Sequence, residues 1–230
     1  KPRNTQTLKN KNDMCSTTSF SMKSLLKSSI GLICIPLFAL YCGAQVVVPV
    51  SSLPNVIGEY NVSYVRTNLD LTPLLGSPGS NFWDFSQAPT ADDMPQQLNI
   101  VPVSDGGNGD SFPDATYAQR FTGGIYAAPT WEYYQTSNGI GRSYFGYYSA
   151  QNTLVDPIIA FPEPTIDLPD PIQYGQSWDR KVAYQIFLTL GGAEDIEFSE
   201  SASVDAFGTL ALPGFGPLPA LRFTAIDTYD

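Results

Sequence analysis

Trp178-Asp179-Arg180-Lys181-Val182-Ala183-Tyr184-Gln185-Ile186-Phe187-Leu188-Thr189-Leu190 decides the fold class of this chain. Trp178, Val182, Tyr184, Ile186, Leu188 and Leu190 fall on one parity, interrupted by Arg180. Asp179, Lys181, Ala183, Gln185 and Thr189 fall on the other, with Phe187 the exception. A period of two belongs to a strand with one buried face. Gly191-Gly192 ends the run, and Glu197 to Ala206 returns with Phe198, Ala202, Val204 and Ala206 on one side. The two runs predict a long hairpin.

The same chemistry extends in both directions. Glu59 to Arg66 and Thr116 to Thr122 alternate aromatic or aliphatic with polar residues. Trp131 to Thr136 and Arg142 to Ser149 are aromatic-rich and flank Ser137-Asn138-Gly139, a hairpin turn signal because Asn and Gly accept positive φ. Shorter strands are expected at Phe82 to Phe85, Leu98 to Val103, Ile158 to Phe161, Gly208 to Leu212 and Leu221 to Thr228. No long stretch has helical periodicity. The pattern predicts an all-β chain, an antiparallel β-sandwich that is either jelly-roll-like or built as two packed lobes.

Two stretches read as loops. Ser104 to Asp114 holds Gly106, Gly107, Gly109 and Pro113, and Pro157 to Pro171 holds five prolines. Proline fixes φ and removes a ladder donor, so the second stretch is expected to be extended and mostly unpaired. It divides residues 45–230 into expected lobes 45–156 and 172–230.

The N-terminal region carries a different signal. Lys23 and Lys27 follow Met22, an apolar run of about 11 residues spans Ile30 to Leu40, and Cys42-Gly43-Ala44 precedes Gln45. This is the layout of an export signal, a leader helix over 22–44 cleaved after Ala44. A membrane span needs roughly 20 apolar residues, and Pro36 breaks the run, so no span is expected. Lipidation at Cys42 is the alternative, though Tyr41 stands where a small residue is usual. Residues 1–21 are polar and basic and read as an upstream extension. Leu221 to Asp230 reads as a strand in progress, so the chain is expected to continue after Asp230. The destination implied is the cell surface or the outside of the cell.

Composition narrows the chemistry. Cys15, Cys34 and Cys42 all precede residue 45, so the exported part has no thiol. A domain of about 186 residues can bury roughly 70% of its surface without a disulfide. Arg66, Arg120, Arg142, Arg180, Lys181 and Arg222 face 21 acidic residues there, a balance of −15. That field repels phosphate backbones and anionic lipid, which excludes nucleic acid as a partner. The chain has no histidine, which removes Ser-His-Asp and Cys-His catalysis and makes zinc improbable chemistry. Lys181 lies among charges at a strand start, an unsuitable place for a Schiff base, and no phosphate-binding glycine loop precedes a helix.

What remains is carboxylates and rings. Glu132 between Trp131 and Tyr133, and Asp84 between Trp83 and Phe85, have the aromatic setting of glycosidase acids. Alternation alone also places such residues on a solvent face. Trp131, Tyr133, Tyr144 and Tyr147 are candidate ligand-binding residues, able to stack on the sugars of an extracellular polysaccharide. Cross-strand rings equally stabilise a sheet with no ligand. By parity Tyr144 and Tyr148 should share a face with Arg142, and Phe145 and Tyr147 the other. Asp105, Asn108, Asp110 and Asp114 offer hard oxygens to calcium, as do Glu194, Asp195 and Glu197, but Asp and Gly are also ordinary turn residues. A structural or binding role at the cell envelope, with polysaccharide or envelope proteins as partners, is favoured over an enzyme.

Three short motifs resemble a known group. They are Asn81-Phe82-Trp83-Asp84-Phe85-Ser86, Pro171-Ile172-Gln173-Tyr174-Gly175-Gln176-Ser177-Trp178, and Asp205 to Gly214 followed by Leu221-Arg222. They are similar to elements of uncharacterised secreted β-rich proteins of Bacteroidota-like bacteria. That resemblance implies an exported all-β protein and a type IX secretion sorting domain after Asp230. It implies no activity for any residue.

Overall fold

The computed structural model describes residues 46–65, 76–87, 90, 92–152 and 154–230. The expected leader, the three cysteines and Arg66 lie outside the described residues. Twelve strands follow in chain order: β1 (Val47–Val48), β2 (Tyr60–Val65), β3 (Gly79–Asp84), β4 (Met94–Val101), β5 (Tyr117–Gly123) and β6 (Tyr126–Ser137). Then come β7 (Gly141–Ser149), β8 (Ile158–Pro169), β9 (Ile172–Gln173), β10 (Ser177–Phe187), β11 (Ala193–Ala211) and β12 (Leu218–Tyr229). Helix among the described residues is limited to three single 3-10 turns. None is long and apolar enough to cross a membrane.

The first sheet has six strands in the order β2-β4-β5-β6-β7-β8 and the second has four, β10-β11-β12 with β3 on β11. Sequential hairpins join β4 through β8 and β10 through β12, whereas β3 leaves the gap between β2 and β4 to pair parallel with β11. The hairpins run in meander order, and among these strands there is no Greek-key crossing of the jelly-roll kind.

The opening hairpin forms as its periodicity requires. β10 pairs antiparallel with β11 from Ser177↔Ser203 to Phe187↔Ala193. Gly191 and Gly192 turn the chain at φ 94° and 105°. Phe198, Ala202, Val204 and Ala206 are all buried, as their common parity predicts. Arg180, an interruption in the sequence pattern, lies directly across from Glu200 on the same buried side. β11 joins two expected strands into one, with a bulge at Asp205 between Val204 and Ala206. The carboxylate exposed by that bulge takes a two-point bond from Arg222, at 2.8 and 2.9 Å.

The proline-rich stretch corrects the expectation of an unpaired loop. β8 pairs with β7 over most of its length. Its prolines are accommodated because β8 is the edge strand and because Phe161 to Pro164 bulge out between Ala160↔Gly146 and Thr165↔Tyr144. Proline is tolerated at edges and bulges, where no ladder N–H is missed. The expected lobes also interleave. β3 from the first half pairs parallel to β11, and β1 pairs with β9. Val50 and Leu53 share a buried cluster with Ile172 and Val204. Asp170 anchors the junction by accepting from the Val50 amide at 2.8 Å and the Gly139 amide at 2.6 Å.

A second correction concerns parity in β7. Tyr133 pairs with Gly146 and Tyr134 with Tyr144, so Phe145 is an extra residue. Such a bulge exchanges the faces of everything beyond it. Phe145 therefore packs with Tyr133 and Tyr148 on the outer face. Tyr147 joins Tyr144 on the face turned toward the second sheet.

Candidate functional site

Between the two sheets lies a cleft of about 250 Å³. The first sheet supplies Glu132 and Tyr134 from β6, Tyr144 and Tyr147 from β7, and Phe161 and Asp167 from β8. The second supplies Arg180 and Tyr184 from β10, Phe198 from β11, and Asp227 and Tyr229 from β12. Tyr134 and Asp167 are buried at its floor, whereas Asp227 and Tyr229 are exposed at its mouth.

Rings form a continuous line across the gap. Tyr117 stacks on Tyr134 at 5.9 Å and Tyr134 on Tyr144 at 5.0 Å. Tyr144 meets Phe161 edge-on at 5.2 Å, and Phe161 reaches Tyr184 of the other sheet at 5.4 Å. Two guanidiniums are set into this line. Arg142 lies over the Tyr134 ring at 4.4 Å, and Arg180 lies 5.0 Å from the Phe198 ring centre and 5.8 Å from that of Tyr144.

Each guanidinium is neutralised in place. Arg142 Nε donates to both Asp167 oxygens at 3.1 and 3.0 Å, and its Nη2 donates to Oδ2 at 2.6 Å. Arg180 Nη2 donates to Glu200 Oε2 at 2.9 Å. Arg180 Nε stands 2.9 Å from Glu200 Oε1 without aiming its hydrogen there, so that second contact is ionic only. Glu200 faces Asp227 across β11 and β12. Burial raises the Glu200 pKa, the Arg180 pair opposes this, and the neighbouring Asp227 adds to it.

Glu132 carries no guanidinium bond of its own. The Tyr134 hydroxyl donates to its Oε2 at 2.6 Å. Burial raises its pKa above the ordinary 4.5, against the lowering effects of that hydrogen bond and of the Arg142 charge. Burial also raises Tyr134 and Tyr144 well above 10, with the Glu132 charge adding to both, and Tyr184 to about 12. Tyr147 is raised by burial too. At neutral pH the cleft therefore offers protonated phenol hydroxyls, ring faces and carboxylate acceptors. That set can stack on and hydrogen-bond a hydroxyl-rich ligand.

No protein-family model, curated protein or solved structure matches the chain. The site is therefore read from its own geometry.

The four aromatic candidates are divided between two faces. Tyr144 and Tyr147 line the cleft. Trp131 and Tyr133 lie on the outer face beneath the 104–114 loop. Tyr133 is 0% exposed, stacked under Phe112 at 3.9 Å with planes 10° apart, and its hydroxyl donates to the Gly107 carbonyl. A Cβ at Gly106 would overlap that hydroxyl, and one at Gly107 would overlap the Tyr148 ring. Gly106 and Gly107 are thus explained by the loop's close seat on the rings, and Gly109 by its approach to the Val103 carbonyl.

Asp105, Asn108, Asp110 and Asp114 all face solvent around that loop. Among the described residues no three His, Cys, Asp or Glu side chains gather as a metal group. On β11, Glu197 pairs with Lys181, and Asp195 accepts from Gln185. Asp84 caps its own turn, accepting from the Ser86 amide at 3.0 Å and hydroxyl at 2.5 Å, which lowers its pKa. It is not part of the cleft. Glu132 is.

Arg142, Asp167, Arg180 and Tyr184 were not singled out by the sequence reading as site residues. One signal points to Arg180. Arg180 and Glu200 occupy inward positions in otherwise apolar rows, and a charge there requires a partner.

Proposed function

We propose that this chain is an exported, acidic β-sandwich whose inter-sheet cleft binds carbohydrate outside the cell. The leader over 22–44 directs export, and residues 45–230 form the binding domain. The single observation that carries the reading is the ring line from Tyr134 through Tyr144 and Phe161 to Tyr184, beside Glu132, with Tyr147 half-buried and Tyr229 exposed at the mouth. Rings in such a setting stack on the apolar faces of sugars, while tyrosine hydroxyls and Glu132 exchange hydrogen bonds with sugar hydroxyls. The negative net charge suits a neutral glycan better than a phosphorylated ligand.

The test is binding of the full chain to a panel of neutral oligosaccharides, repeated with Tyr147→Ala and Tyr184→Ala. Retention of at least one glycan, weakened roughly tenfold or more by either substitution, supports the reading. Absence of binding across the panel removes it.

A hydrolase reading rests on one further feature. Glu132 has the raised pKa of a general acid, and Asp227 supplies a second carboxylate to the same cleft. Release of reducing ends from a bound glycan, abolished by Glu132→Gln with binding retained, would select this reading over a binding module.

A further inference from the structure

The outer face of the first sheet holds a second concavity, away from the cleft and not covered by the 104–114 loop. It measures about 370 Å³ and is lined by Glu59, Gln97, Asn99, Arg120 and Thr122, with Gly58, Ile100 and Val101 completing its wall. Register explains the grouping. Asn99 lies across from Arg120 and Gln97 from Thr122 on β4 and β5, so all four side chains share one face.

Arg120 is unusual among the cations. Arg142, Arg180, Lys181 and Arg222 each hold a carboxylate within 4 Å. Arg120 has none among the described residues, in a chain with 21 acidic side chains after residue 44. Its guanidinium lies over the Trp131 ring at 5.6 Å, from the strand opposite, which holds the fork in place. Its Nε and the Trp131 Nε1 are both buried without a hydrogen-bond acceptor. A partly buried guanidinium left unpaired in a polar hollow is a site short of one anion, and a planar fork suits a carboxylate.

The remaining lining indicates what carries that carboxylate. Gln97 Nε2 donates to Asn99 Oδ1 at 3.0 Å, which orients the two amides side by side. Glu59, which lines the hollow, is oriented by its Oε2 accepting from the Asn55 and Val56 amides at 3.2 Å. Amides, a hydroxyl and a fixed carboxylate oxygen bind vicinal hydroxyl groups. We infer that this hollow is a subsite for one uronate residue of a saccharide, with Arg120 holding its single carboxylate locally against the domain's overall negative field and Glu59, Gln97, Asn99 and Thr122 its hydroxyls. The assignment is independent of the cleft and does not need the cleft to bind anything.

Trp131 provides the readout. The indole N–H resonance of Trp131, assigned with Trp131→Phe, is followed as the full chain is titrated with oligogalacturonate or oligoglucuronate. The same oligomers as neutral methyl esters, and an acidic peptide of equal charge, are the comparators. The expected result is a saturable shift with at least one uronate oligomer, weakened about tenfold or more by esterification or by Arg120→Gln, and unchanged by Tyr147→Ala. Arg120→Lys should fall between, since it keeps the charge but loses the fork. Equal binding of the methyl ester to unaltered protein would overturn the inference without recourse to any variant. So would absence of a shift with both acidic oligomers, or an equal response to the peptide.

Discussion

Replacing Arg142 by Met tests how the floor of the cleft is held. Arg142 and Asp167 side chains are 14% and 10% exposed, and the carboxylate depends on the guanidinium for neutralisation. Removing one member of a buried pair typically costs about 3–5 kcal/mol, because the survivor is left charged in a poorly solvated place. The Met side chain preserves much of the packing over Tyr134, so the loss should come chiefly from the stranded Asp167. For a total stability on the order of 5–15 kcal/mol, this is a large fraction. With a urea slope of about 2 kcal/mol/M, the midpoint should fall by roughly 2 M. The double variant Arg142→Met/Asp167→Leu removes both charges and should recover most of that loss, since apolar replacement of a buried pair is often near neutral. Equilibrium urea unfolding followed by tryptophan fluorescence and circular dichroism measures the parent, Arg142→Met, Asp167→Leu and the double variant. A loss below about 1 kcal/mol for Arg142→Met, or a double variant no better than the single, would refute the argument that the pair is desolvated.

Four further outcomes follow from the same geometry. Phe112→Ala should destabilise by about 3–5 kcal/mol, because a ring 1% exposed is lost from its stack on Tyr133. Asp105→Asn and Asp110→Asn on the same loop should stay within about 0.5 kcal/mol of the parent, with thermal melting as the check. Glu132→Gln should stabilise the protein at pH 7 and lose its advantage toward pH 4. Its raised native pKa means the folded state holds a proton that the unfolded chain releases above about 4.5, so stability falls as pH rises through that window. An advantage independent of pH would contradict this. Asp170 has the opposite sign. The amides of Gly139 and Val50 lower its pKa, so its contribution is present above about 3.8 and is lost as pH falls through the native value. Asp170→Asn should be less stable than the parent at pH 7, and the two should converge in acid.

Much of the fold was legible because one-sided burial writes period two into a strand. The β10–β11 hairpin and the buried row Phe198, Ala202, Val204 and Ala206 follow directly from alternation. The all-β class follows from that pattern repeated along the chain. Bulges are where legibility ended. Phe145 has no sequence mark as an extra residue, so Tyr147 was placed on the wrong face relative to Tyr144. β8 was hidden because proline argues against pairing, and only the edge position and the Phe161–Pro164 bulge make it compatible. With β8 hidden, Asp167 and Phe161 were hidden too. The cleft unites strands far apart in sequence, and no local spacing announces Tyr184 opposite Phe161. Gly106 and Gly107 were ambiguous for the same reason: the rings they rest on are supplied by β6 and β7.

The central claim is that the gap between the sheets is a carbohydrate site, and the most direct measurement is a residue-resolved amide NMR titration of the full chain with a neutral oligosaccharide mixture. The expected result is a set of saturable shifts confined to the strand segments around Glu132, Tyr144, Tyr147, Tyr184 and Tyr229. Spectra that do not change with any glycan, or shifts confined to strands outside the cleft, would contradict it.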